Sequence, residues 1–254
     1  METGIQISSL KPLLTDAEQV RAAFARLAAI GCETVQLQWV DRSVSARDLA
    51  AALKERGLRS VSVQDVSDCV MADPNYYLEL NARTGAQWLC VSRVPRPMQS
   101  PDGLERYVES LRDLMTLAAR QGQRLCFHPV GTDYAPVGGL CPVELLLDRL
   151  PELQLCLDLY HLREAGYALP EWIRAHAGRI EMVHLKDGKG DRLVPAGQGE
   201  VPWDGAVAAC LASGVSYAFV EQESWDRDPY ACLDEALRWL RTEIRAARSG
   251  CREV

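Results

Sequence analysis

The chain has 254 residues, 48% hydrophobic and 25% charged, an ordinary balance for a globular protein and enough to bury a large core without disulfide staples. Its 28 basic and 35 acidic residues leave a formal net charge of −7, with no run of five or more like charges, which argues against the clustered basic face that a nucleic-acid backbone needs. No stretch approaches the length of a membrane span, and the segment METGIQISSLKPLL lacks the basic and apolar regions of a signal peptide. The nine cysteines are odd in number and include no C-x-x-C pair, so a reducing, cytoplasmic compartment is expected, with Cys90, Cys126 and Cys156 acting as small core residues.

In chain order, short apolar runs alternate with longer amphipathic segments. The runs cover residues 4–8, 34–40, 59–63, 88–91, 124–127, 154–157, 180–185 and 217–221. Each is nearly continuous in apolar residues, as parallel strands covered on both faces are. Their starts lie roughly 25 to 37 residues apart, one βα unit each. Between them, the segment from Thr15 to Gly31 opens with Thr15 and Glu18 in capping-box spacing. Ser45 with Asp48 repeats that grammar, and two long amphipathic segments end at Gly122 and Gly250. There is no low-complexity linker and no shift of composition. Eight βα units in this length predict an α/β fold, a single-domain (β/α)8 TIM barrel over residues 1–254. The rival doubly wound sheet usually carries a Gly-rich first turn, whereas here that turn is SSLKPLLT.

In such a barrel the chemistry sits where strands end and their loops begin. The third strand ends at Gln64 and Asp65, and the fourth near Ser92 and Arg93. The fifth exit carries His128, Asp133 and Tyr134, and the sixth Asp158 and His161. The seventh carries His184, Lys186 and Asp187, and the eighth Glu221 and Glu223. Three of the four histidines thus fall at consecutive strand ends, with carboxylates beside them, while His176 lies in a helix. Imidazole with carboxylate suits a divalent transition metal. Lys186 and Asp187 could equally form a local ion pair. The segments DCVMADPNYY and SRVPRPMQSPDG are expected to form part of the mouth.

In order and spacing the motifs GIQISSL, AAIGCETVQL, FHPVGT, LDLYH, VHLKD, GQGEVPW and FVEQE resemble the xylose isomerase-like barrel superfamily over nearly the whole chain. The sugar phosphate isomerases/epimerases, ketose 3-epimerases and inosose dehydratases are its nearest branches. The resemblance implies one divalent metal (Mn2+, Mg2+, Co2+, Zn2+ or Fe2+) on Asp158, His184 and Glu221. His161 matches a histidine that contacts substrate oxygens, and Arg192 an arginine on the substrate's far hydroxyls. Lys186 is expected to fold over the ligand. Gln64 stands where many relatives have histidine. The fifth strand departs from the pattern: it has no glutamate, and the further metal ligand is His128, Asp133 or water. Homodimers are common in the superfamily.

The implied chemistry is proton abstraction beside a polarised carbonyl of a small keto-sugar or polyol, with Glu221 or Glu223 as the base. The resulting enediolate serves an isomerase or epimerase equally. It also serves a dehydratase-like lyase on a cyclitol or keto-acid, and a degraded barrel that binds its ligand without turnover is a further alternative. DNA repair enzymes share the barrel but need a histidine-rich multi-metal site, which four histidines and a charge of −7 disfavour.

Overall fold

The apolar runs become strands that are sheltered on both faces, by helices outside and by one another inside. The computed structural model describes residues 1–250, so Cys251 lies outside the described residues. Its strands are β1 (Glu2–Gln6), β2 (Thr34–Gln38), β3 (Arg59–Val66), β4 (Trp88–Ser92), β5 (Arg124–His128), β6 (Gln154–Asp158), β7 (Ile180–Leu185), β8 (Asp187–Lys189), β9 (Arg192–Val194) and β10 (Tyr217–Val220). All except β8 and β9 pair in parallel, each with its neighbour in sequence, and β1 closes the ring on β10 with Glu2 opposite Tyr217. The expected TIM barrel is therefore present. The two short strands form a separate antiparallel hairpin where the sequence promised only a Gly-rich loop.

The helices are α1 (Ala17–Ala29), α2 (Ala46–Glu55), α3 (Ser67–Ala72), α4 (Pro74–Thr84), α5 (Pro101–Ala119), α6 (Pro142–Arg149), α7 (Leu159–Glu164), α8 (Leu169–Ala175), α9 (Ala206–Ala212) and α10 (Pro229–Gly250). Asp16, not Thr15, caps α1, its carboxylate accepting from the amides of Glu18 and Gln19. Ser45 caps α2 as expected, accepting from the Asp48 amide at 3.1 Å. The segment DCVMADPNYY is mostly helical, in α3 and the start of α4, because Asp73 and Pro74 supply a cap and a first-turn proline. The first strand ends two residues earlier than expected, where a 3-10 segment (Ile7–Leu13) takes over.

Every second strand residue points into the barrel. The interior therefore has its own cluster of Val61, Trp88, Cys90, Cys126, Cys156, Met182 and Phe219, distinct from the larger core between strands and helices. One step further along β5, β6 and β7, the same inward register reaches His128, Asp158 and His184. Apolar filling thus gives way to chemistry at one level of the barrel.

Candidate active site at the barrel mouth

Neighbouring strands bring the donors together in register. Ser92 lies opposite His128, and Asp158 opposite His184. Glu221 follows β10 directly, its amide bonded to the Leu185 carbonyl at 3.1 Å. One donor atom from each of His128, Asp158 and His184 lies within 4.8 Å of the others, and all three residues are buried.

Each of these side chains spends one polar atom on the scaffold and presents another to the mouth. Asp158 Oδ1 caps α7, accepting from the amides of Tyr160 at 2.8 Å and His161 at 3.2 Å. His128 Nδ1 meets Ser92 Oγ at 3.0 Å. His184 Nε2 meets Gln36 Oε1, with Cys156 Sγ 3.2 Å away. Glu221 Oε1 accepts from Ser8 Oγ at 2.5 Å. The remaining atoms, His128 Nε2, Asp158 Oδ2, His184 Nδ1 and Glu221 Oε2, are buried and make no well-aligned hydrogen bond among the described residues, although His184 Nδ1 and Glu221 Oε2 lie 3.2 Å apart. Buried polar atoms are rarely left so, and the group of His128, Asp158 and His184 is close enough together that it could hold a cation.

Charge is concentrated there. Lys186 turns inward, its Nζ 2.8 Å from Glu223 Oε1, 3.2 Å from Glu221 Oε2 and 3.4 Å from Asp158 Oδ2. Burial alone would lower its pKa, but the three carboxylates outweigh this and hold the ammonium charged. Burial would likewise raise Glu221, yet Lys186 and His184 keep its carboxyl well below the usual range. Glu223 is different: burial and then repulsion from Glu221 push it up. His128 is driven down to about 3 by burial and by the neighbouring His184, which favours the neutral ring. His161 lines the edge of the mouth, partly exposed, with Nε2 3.7 Å from Asp158 Oδ2.

Three expected residues do other work. Asp133 is fully buried, but its carboxylate accepts from the amides of Val94 at 3.0 Å and Val130 at 2.9 Å. Both oxygens are committed to joining the loops after β4 and β5, so it is not among the converging donors. Arg192 stands on β9, exposed and ion-paired with Asp226, away from the cluster. Gln64 is buried, but its amide is used by Gln36 at 3.1 Å and Gln38 at 3.3 Å. Lys186 and Asp187 do not pair. Asp187 instead gathers the loop of residues 188–203, accepting from the amides of Gly188, Gly197, Gly199 and Val201 and from the Trp203 indole.

Ser8 and Gln36, which hold two of the donors, escaped the strand-end reading, whereas Ser92 stood in it as the end of the fourth strand with no role assigned. Counting every second residue back along β2, and on from Gln6 past the end of β1, would have found the first two. A cavity of about 1050 Å3, lined by Trp88, Arg120, Arg124, Glu152 and Glu181 among others, opens at the opposite, N-terminal end of the strands and contains none of the donors.

Residues 24–243 match the model of a family described as xylose isomerase-like TIM barrel. No curated protein matches the sequence significantly. Among solved structures, a sugar phosphate isomerase/epimerase from Parabacteroides distasonis is similar, with 17% identity, TM-score 0.79, and 94% of this chain and 92% of that one covered. A D-allulose 3-epimerase from Methylomonas sp. in complex with D-allulose gives 18% identity and TM-score 0.76, covering 95% and 96%. A probable 3-DHS dehydratase from Bacillus anthracis gives 15% identity and TM-score 0.74, covering 95% and 99%. At these identities the likeness is one of fold.

Proposed function

The chain belongs to the xylose isomerase-like TIM barrel family, and from that premise we propose that it is a divalent-metal-dependent isomerase or epimerase of a small keto-sugar or polyol. The observation that carries this is the buried convergence of His128, Asp158 and His184, one donor atom of each within 4.8 Å of the others, with the Glu221 carboxylate 3.2 Å from His184. They would hold one metal ion of the Mn2+, Co2+, Zn2+, Fe2+ or Mg2+ kind, which when bound supplies Lewis acidity toward a carbonyl and its neighbouring hydroxyl.

The chain's own groups divide the remaining work. Glu221, held ionised, suits a ligand. Glu223, its pKa raised and a third of its side chain exposed, suits the carboxylate that takes the proton beside the carbonyl and returns it. The Lys186 ammonium, 2.8 Å from Glu223, stabilises negative charge as it develops on the substrate oxygens. His161, at the edge of the mouth, donates to a substrate hydroxyl. Arg192 reaches a substrate only if its hairpin closes over the mouth.

The test is metal content by elemental analysis, followed by exchange of substrate C–H for deuterium across a panel of keto-sugars and inososes. We expect about one divalent ion per chain in the wild type, its loss in His184→Ala, and exchange that Glu223→Gln lowers at least a hundredfold. A wild type that neither holds nor takes up a divalent ion would overturn the proposal. A second reading has its own observation. The Lys186 ammonium, 2.8 Å from Glu223, would also stabilise the charge of a departing β-hydroxyl, as a dehydratase on a cyclitol or keto-acid requires. Appearance of a conjugated, ultraviolet-absorbing product would assign it, and ligand binding with neither exchange nor elimination would leave a binding barrel.

A further inference from the structure

Four buried glutamines run across the barrel interior from β1 to β3. Gln6 Nε2 donates to Gln36 Oε1 at 3.0 Å, Gln36 Nε2 to Gln64 Oε1 at 3.1 Å, and Gln64 Nε2 to Gln38 Oε1 at 3.3 Å. An amide oxygen and nitrogen differ too little to be told apart by shape, so such a chain could in principle run either way. Here its direction is pinned. Gln6 Oε1 accepts from the backbone amide of Ser8 at 3.2 Å, and a backbone N–H is always a donor. The Gln6 oxygen therefore faces Ser8 and its NH2 faces Gln36. Gln36 must present its oxygen to Gln6 and its NH2 to Gln64. Turning any one amide over would set oxygen against oxygen and NH2 against NH2 in a fully buried place.

The oxygen of Gln36 that this ladder fixes is the same atom that meets His184 Nε2. We propose that Gln36 is a positioning residue for His184: it dictates that the ring proton resides on Nε2, leaving the Nδ1 lone pair for the mouth. The groups on the Nε2 side agree. On the Nε2 side stand the Gln36 oxygen and the Cys156 sulfur at 3.2 Å, itself a weak acceptor. On the Nδ1 side stand the His128 ring, 4.7 Å away between centroids, and Glu221 Oε2 at 3.2 Å, an acceptor that competes for the ring proton and that a bound cation would take over. A ligating imidazole commonly gives its second N–H to an acceptor that fixes tautomer and orientation. In this chain the acceptor is a neutral amide whose own direction is set by the Ser8 backbone, on another strand exit.

The inference rests on the metal-site proposal for its consequence but not for its test. Long-range 15N–1H correlation spectra would be taken of the zinc-loaded protein, with each of the four histidines assigned by single substitution. The expected result is His184 protonated at Nε2 and zinc-bound at Nδ1. Folded Gln36→Leu should bind zinc about tenfold or more weakly, and Gln36→Glu, which keeps an acceptor oxygen, should recover most of the loss. A proton on Nδ1 in the wild type, or unchanged zinc affinity in Gln36→Leu, overturns the assignment. If the leucine variant does not fold, the wild-type spectrum decides alone. If zinc does not bind at all, the metal-site proposal fails. The metal-free ring, recorded where it is neutral, still decides the tautomer: Nε2–H sustains the role of Gln36 and Nδ1–H removes it.

Discussion

Asp133 and Asp158 are both fully buried carboxylates at strand exits, yet they are used oppositely. Asp158 is held below the ordinary range because Lys186 and His161 outweigh its burial, and its Oδ2 turns to the mouth, 3.4 Å from the Lys186 ammonium. Asp133 feels two backbone amides and the charge of the Arg93 guanidinium, but burial outweighs them and pushes it up from 3.8 to about 6. A carboxyl raised on folding binds its proton more tightly in the native state. Its contribution to stability is therefore full below about pH 4 and is lost as pH rises through about 6. Carbon-detected titration of the Asp133 carboxyl should give a midpoint near 6, and a midpoint near 4 would sink the prediction. The sequence could not separate these two residues. Asp158 announces itself by standing at the end of an apolar run, whereas the partners of Asp133 include the amide of Val94, 39 residues earlier in the chain.

At the level of elements, the exit of β7 explains why histidine, lysine and aspartate follow one another so closely. Inward register points His184 and Lys186 at the mouth, and Asp187 turns to the loop. The first two were legible from the alternation of the strand. The third was not, because the amides it holds lie as far as Val201 and its indole partner is Trp203. Asp187→Ala would leave four backbone donors and an indole unpaired, and we expect a loss of about 2–4 kcal/mol, moderated by water entering the loop. Urea denaturation would read the loss. Hydrogen exchange should show the amides of Gly197, Gly199 and Val201 unprotected, and exchange as slow as in the wild type would refute the clamp. Gly199→Ala should act in the same direction, since its Cβ would collide with the Asp187 carboxylate and the Gly188 carbonyl.

Over the whole molecule, eight runs rich in apolar residues sufficed to identify the barrel, because strands covered on both faces are built mainly of such residues even where, as in β1 to β3, glutamines interrupt them. The inner cluster was less legible: its cysteines, methionine and single phenylalanine read as ordinary core, and nothing in the sequence marks which apolar residues face inward. Phe219 is the largest side chain in that cluster after Trp88, so Phe219→Ala should cost about 3–5 kcal/mol in chemical denaturation. A loss below about 1 kcal/mol would mean that the interior can collapse around the gap. The hydroxyl of Ser8 touches Glu221 across 213 positions of sequence, and the ring itself closes between β1 and β10. Such a junction is among the last to form, because its long loop must be closed before the contact rewards it. The mouth is thus a late product of folding. A nascent chain still lacking its final barrel strand has a nearly complete sheet and no site, and in refolding experiments cation uptake should return with the slowest phase.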